Sequence, residues 1–376
     1  LAPPLANVPR MDPRRIVVEV PKAWKPSGAL KMTTTPGGAF WDPRVRTADE
    51  VLLYVQQDIG YGADLGYNEG RGTLKAFRGS RVGFYSERYL FTVLDWALAK
   101  WPADRSLLRG GGSTHFSARH PEFFGALLLG PPFASGYSLD FDHKWNPGSG
   151  SLAGRLGPAD LVKGPDGGPA WDMFDLTKYL RKNPDKDIPF MGCMFSQPKD
   201  GNHGAEYGWQ DDPKGLAALR DARQPYVATW GGARLPREVS GAYEKMRWHK
   251  TLPAFSNCSL DNNPGTGDPD AGEPWGQINA YLLWDCNDSV DTADRWEMTV
   301  YLVGSSPEQS CLVDITPRHC KKFKPKSGER FTWTNTSLAD NKVVARGTVR
   351  ADKWGLTTLK QISVSKGRNR IVIRRQ

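Results

Sequence analysis

The 376-residue sequence predicts an α/β domain followed by an all-β sandwich. Up to about residue 255, short apolar runs alternate with segments of helical period, the pattern of a sheet with helices beside it. From about residue 290 the helical period disappears, and short strands recur at spacings of about 8 to 12 residues. With 39% hydrophobic and 24% charged residues, the chain can build a core without covalent staples. The expected domains are 1–255, with a loop-rich insertion at 133–187, a junction loop at 256–289, and a β-sandwich at 290–376.

In chain order, "RRIVVEV" reads as a strand and Pro26–Gly28 as a turn. "SERYLFTVLDWALAKWP" predicts the clearest helix. Leu90, Val93, Leu94, Ala97, Leu98 and Trp101 share one face, Ser86 is placed to cap it, and Pro102 stops it. "EFFGALLLGPP" and "DIPFMGCMFS" read as buried strands, "DDPKGLAALRDARQP" as a helix, and "YVATWGG" as a further strand. The later strands are "DRWEMTVYLV", "CLVDITP", "ERFTWTNTSL", "KVVARGTVRA", "GLTTLKQISV" and "NRIVIRR". No apolar run approaches the roughly 20 residues of a membrane helix. The chain opens at Leu1, which reads as a processed terminus.

Charge is unevenly spread. Residues 321–376 hold 15 Lys and Arg against three Asp and Glu, a net +12. The whole chain is +9, so residues 1–320 sum to −3. A basic module on a near-neutral body suggests an anionic partner, whether acidic polysaccharide, cell surface or nucleic acid, against the alternative of a merely solvated β-domain. The stretch carries no nucleic-acid-binding motif. Cys311 and Cys320 bracket a short loop that a disulfide could close, and Cys258 and Cys286 flank a loop rich in Gly, Pro and Asp. Two such bridges, with Cys193 as a buried thiol, would mean a secreted or periplasmic protein.

"WPADRS…LLRGG…FSARHPEFFGALLLGPP" resembles the nucleophile segment of the α/β-hydrolase superfamily, in secreted bacterial esterases of the polyhydroxyalkanoate-depolymerase and feruloyl-esterase kind. Asp104-Arg105, the small-residue turn at Gly110 to Gly112, and Arg119-His120-Pro121 carry the likeness. "GWQDDPKGLAALRDARQPYVATWGG" resembles the segment that follows the family's catalytic acid. The resemblance spans roughly residues 40–250. It implies an α/β-hydrolase-like sheet flanked by helices, and a serine esterase acting on a polysaccharide ester or polyester. The implied nucleophile is Ser113, with Asp200 as the acid and His203 as a candidate base. Gly111, Gly112 and Thr114 would form the turn that holds the oxyanion. The chain departs from the family where His115 stands in place of the second glycine and where no histidine follows "YVATWGG". The same residues therefore also fit an inactive hydrolase frame that binds an anionic glycan.

Such hydrolysis requires no cofactor. Asp261, Asp268, Asp270 and Glu273 lie in a glycine-rich loop, and their hard oxygen ligands suit Ca2+. The loop tryptophans Trp171, Trp209, Trp248, Trp275 and Trp284 are candidates for stacking on sugar rings, against the alternative of core packing. His143 and His319 read as surface residues, and His120 as a structural one.

Overall fold

The computed structural model describes residues 16–35, 50–56, 67–70, 73–83, 85–111, 120–128, 157–158, 161–173, 176–194, 213–231, 233–263 and 276–376. The chain divides into two compact units, Leu1–Tyr179 and Leu180–Gln376. That division falls well before the expected boundary near residue 255.

The first unit contains β1 (Ile16–Glu19), β2 (Ala29–Thr35), β3 (Glu50–Gln56), β4 (Tyr67–Asn68), β5 (Val82–Gly83), α1 (Tyr85–Lys100), β6 (Leu108–Gly111) and β7 (Ala126–Leu128). Its main strands lie in the order β1-β3-β2-β6-β7. β1 runs antiparallel to β3, while β2 is parallel to both β3 and β6, and β6 is parallel to β7. The strand residues Leu30, Met32, Val51, Leu53, Val55 and Leu108 form one core with Leu90, Val93, Leu94, Ala97 and Leu98 of α1. The apolar face read from the sequence is thus the buried face. Full burial of one such leucine stabilises by roughly 1.5–3 kcal/mol. α1 begins one residue before Ser86 and ends two before Pro102, which cannot supply the N–H a further turn needs.

α2 (Leu176–Lys182) spans the division between units. The second unit continues with β8 (Phe190–Met194), α3 (Pro213–Asp221), β9 (Tyr226–Trp230), α4 (Arg237–Lys245), β10 (Leu252–Ser256), β11 (Gly276–Ile278), β12 (Leu282–Trp284) and β13 (Val290–Asp291). Then come β14 (Arg295–Leu302), β15 (Ser310–Arg318), β16 (Arg330–Ser337), β17 (Val343–Arg350), β18 (Leu359–Ser365) and β19 (Asn369–Arg375). β8 is parallel to β9, and β11 pairs antiparallel on the other side of β9. Gly276 stands opposite Trp230, and a β-carbon there would lie 2.1 Å from the indole. Two antiparallel sheets follow, one in the order β10-β15-β18, the other β12-β14-β19-β16-β17 with β13 on β14.

These two sheets pack through alternate residues. Trp296, Met298, Val300, Phe331, Ile371 and Ile373 of the larger sheet are buried, as are Val313, Ile315, Ile362 and Val364 of the smaller. Polar ties cross the same interior. The Asn335 amide donates to the Ser363 carbonyl at 2.8 Å, and Trp296 Nε1 donates to Thr251 Oγ1 at 2.9 Å.

The expectation of an α/β-hydrolase-like sheet flanked by helices is overturned. Helix accounts for 16% and strand for 38%, and the helices do not flank the mixed sheet as that fold requires. Four α-helices occur among the described residues, and three of them have nine residues or fewer. The physical reason is the connecting sequence. The chain holds 40 Gly and 29 Pro, residues that cost helix interiors about 1 and 3 kcal/mol each.

Candidate functional site

Of the expected catalytic residues, Ser113, Asp200 and His203 lie outside the described residues, as do Gly112 and Thr114. Gly111 is described, as the last residue of β6. That strand has parallel neighbours on both sides, with Thr33 opposite Gly111 and Ala126 opposite Arg109. Arg109 is buried and ion-paired with Glu50, its Nε donating to Glu50 Oε1 at 3.1 Å. His120 is held by carboxylates, with Nδ1 2.8 Å from Glu122 and Nε2 3.5 Å from Glu87. Burial depresses its pKa, but the two carboxylates outweigh burial and leave it above the usual histidine value.

The expected calcium ligands Asp268, Asp270 and Glu273 also lie outside the described residues. Asp261 Oδ2 accepts the Ala280 N–H at 2.9 Å, and burial pushes its carboxyl up to about 6. Among the described residues no three potential metal ligands cluster.

All five cysteines are buried thiols. The structure brings Cys258 to Cys311. Ser259 N–H donates to the Leu312 carbonyl at 2.8 Å, and Leu312 N–H to Ser259 Oγ at 3.0 Å. The outward Ser259 and Leu312 thus lock together, and the buried Cys258 and Cys311 lie beside them, near enough for the Cys311 thiol to raise the Cys258 pKa. Cys320 instead lies 3.2 Å from Thr251 Oγ1.

Trp248 and Trp284 are core residues, not sugar platforms. Both are buried, and Phe190 stacks on Trp248 with ring centroids 4.8 Å apart. His319 is likewise buried rather than on the surface, its Nε2 2.7 Å from the Ile188 carbonyl. Burial holds its pKa below the usual value. Trp209 and Trp275 lie outside the described residues.

The basic charge of the C-terminal segment has a definite address. Register places Arg330 opposite Arg350, Thr332 opposite both Thr348 and Arg374, and Thr334 opposite Arg346. On β14, Arg295 faces Arg374. These residues, with Arg370, project from the face of the larger sheet opposite the buried one. Glu297 offsets part of the charge, through pairs with Arg370 at 2.6 Å and Arg295 at 3.1 Å. Arg330, Arg346 and Arg350 are exposed and have no ion pair among the described residues.

A second feature sits in the loop "ADKWGLT". Asp352 Oδ1 accepts the N–H groups of Trp354 at 2.8 Å and Leu356 at 3.0 Å, while Oδ2 meets Arg223 Nη1 at 2.5 Å. Burial raises the Asp352 pKa, but the Leu356 N–H and Arg223 outweigh it, and the carboxyl is held below its usual range. Gly355 has φ +75°, and a β-carbon there would lie 2.7 Å from the Pro325 carbonyl. The loop is therefore fixed, and it presents Trp354 39% exposed. Trp354 borders two cavities. One, of about 360 Å³, is also lined by Lys186, Asp187, Lys324 and Thr357. The other, of about 260 Å³, is lined by Arg181, Asp221 and Arg223. Behind the first, Arg318 donates to the carbonyls of Pro184 at 2.8 Å and Lys186 at 2.6 Å, and to Asp187 at 2.8 Å.

Sequence reasoning passed over Trp354. The available signal was a lone tryptophan between an Asx-turn aspartate and a glycine in a basic stretch.

No protein-family description matches the chain, and no curated protein matches it. Among solved structures, the GH39 enzyme from Xanthomonas axonopodis pv. citri aligns over 85% of this chain and 78% of its own, at 9% identity and a TM-score of 0.18. That likeness carries no argument about fold or activity. Among the described residues no helix is long and apolar enough to cross a membrane.

Proposed function

We propose that this chain binds an anionic polysaccharide through its C-terminal sheets. The observation that carries the reading is the arginine face. Arg330, Arg346, Arg350 and Arg374 lie on one side of three adjacent strands, with threonines between them. Exposed guanidinium groups form bidentate hydrogen bonds to carboxylate and sulfate groups, and the attraction weakens within a Debye length of about 8–10 Å. Retention on pectate and heparin columns under rising sodium chloride tests it. The parent elutes late, and Arg346→Ser/Arg350→Ser elutes at distinctly lower salt. Equal elution of the two proteins would sink the reading, and retention on single-stranded DNA alone would replace it with a nucleic-acid reading.

A second reading, an exported serine esterase acting on a polysaccharide ester or polyester, is favoured by β6. Ligands of open parallel sheets gather beyond the carboxyl ends of the strands. β6 has parallel neighbours on both sides, and its carboxyl end at Gly111 comes two residues before Ser113. Fluorophosphonate labelling with peptide mapping tests it. One adduct at Ser113 supports an esterase, and an unlabelled protein leaves binding alone.

A further inference from the structure

We propose that Trp354 is a stacking platform for a sugar ring of an acidic oligosaccharide, and that the two cavities beside it receive the neighbouring units. The inference rests on the anionic-polysaccharide reading and adds the subsite and the need for a ring. A flat arginine face alone would accept any polyanion, whereas an exposed indole rewards a ligand with an apolar face.

The geometry is specific. Trp354 is the shared wall of both cavities, so a ligand laid across it reaches into each. The larger cavity, at about 360 Å³, falls at the small end of the roughly 300–1,000 Å³ usual for ligand sites, which suits a short saccharide. Asp352 and Gly355 hold the loop in place, so little ordering cost remains for binding. The chemistry around the ring is that of an acidic sugar. Lys353 Nζ lies over one face of the Trp354 ring, 5.3 Å from its centroid, and Lys186 and Lys324 line the larger cavity with Asp185 and Asp187. Arg318 is spent on Pro184, Lys186 and Asp187, Arg223 on Asp352, and Lys186 on Asp185 at 4.0 Å, so Lys324 at the larger cavity and Arg181 at the smaller are the groups left to meet carboxylates. Thr357, which also lines the larger cavity, is 2% exposed, and its hydroxyl has no hydrogen-bond partner among the described residues. A buried hydroxyl without a partner is destabilising, and a sugar hydroxyl would satisfy it.

The test is titration of the full chain with trigalacturonate and with the neutral cellotriose, followed by calorimetry and tryptophan fluorescence. Column retention on pectate is measured on the same proteins. The parent is expected to bind trigalacturonate, with quenched fluorescence, and to prefer it to cellotriose. Trp354→Ala should weaken that binding by about tenfold or more, and Trp354→Phe should recover most of it. Thr357→Val should weaken binding several-fold without changing retention. An unchanged affinity in Trp354→Ala, with retention intact, overturns the platform and leaves the polyanion reading standing. No trigalacturonate binding by a parent that pectate retains has the same meaning. A parent that pectate does not retain overturns both. Because Trp354 is exposed, a thermal melt matching the parent's shows that its variants fold.

Discussion

Arg318 and Asp187 form a one-sided ion pair. Nε donates to Oδ1 across 2.8 Å, yet the arginine side chain is 1% exposed and the aspartate 31%. The guanidinium also caps the carbonyls of Pro184 and Lys186, so a single side chain from β15 anchors the turn that leads into β8. Arg318→Met should lower unfolding stability by about 3–5 kcal/mol, because it strands the carboxylate and the carbonyls together. Urea denaturation measures this, and a loss below about 1 kcal/mol would show that the turn holds without the pair.

Asp187 also sets an acid limit. Burial raises its pKa, but His319 and Arg318 outweigh burial and hold it below the usual carboxylate range. Its stabilisation is therefore present above an unfolded pKa of about 4 and is lost as pH falls through the lower folded value. Asp187→Asn should be less stable than the parent at pH 7 and should show a flatter decline below pH 4. Melting temperatures from pH 2 to 7 check this.

Asp261 works in the opposite direction. Its folded pKa of about 6 lies above the unfolded value, so its contribution is full at low pH and is lost as pH rises through 6. Asp261→Asn keeps an acceptor for the Ala280 N–H and removes the buried charge. It should melt above the parent at pH 7.5 and level with it near pH 4. A variant less stable at both pH values would mean that the carboxylate is needed where it sits.

Cys258 and Cys311 should cross-link under oxidised glutathione. The two thiols give up two protons and two electrons, the glutathione disulfide takes them up as two thiols, and one S–S bond forms between the cysteines. The partner thiol and burial push the Cys258 pKa well up, so the reaction should take hours near pH 7 and speed up under mild denaturant. A non-reducing peptide map should show Cys258 joined to Cys311. A Cys258–Cys286 peptide would contradict the arrangement.

Gly355→Ala should destabilise by about 1–3 kcal/mol, since it combines a positive φ with a contact against the Pro325 carbonyl. It should also weaken trigalacturonate binding by tilting the indole. Normal stability with normal binding would show that the loop adapts freely.

Some of this was legible in the sequence. The face of α1 was readable because Leu90, Val93, Leu94, Ala97 and Leu98 repeat with the helix period, and burial follows that period. In the strands "ARGTVR" and "RIVIRR", Arg346 and Arg350, and Arg370 and Arg374, stand four residues apart, an even spacing that puts each pair on one face, so a basic face was implicit in them. The helical shell was not legible, because short apolar runs look alike whether the segments joining them coil or stay irregular. The partner of Cys258 is set by the register between β10 and β15, which are far apart in sequence. His319 was misplaced because its burial depends on the Ile188 carbonyl, 131 residues away. Trp248 and Trp284 looked like loop residues, yet they close an aromatic core around Phe190.

Among the described residues β17 is the last strand of its sheet, so one row of its backbone N–H and C=O groups has no neighbouring strand in that ladder. Such an edge is a template on which a second copy could grow. Arg346 and Arg350 stand on this strand, and on a flush approach of two edges they would meet their own duplicates. Mutual repulsion should therefore oppose edge-to-edge growth, and on the proposed reading a polyanion that neutralises the arginines would weaken that opposition. Self-association on a crowded polymer surface would then belong to the bound state, switched on by the ligand itself.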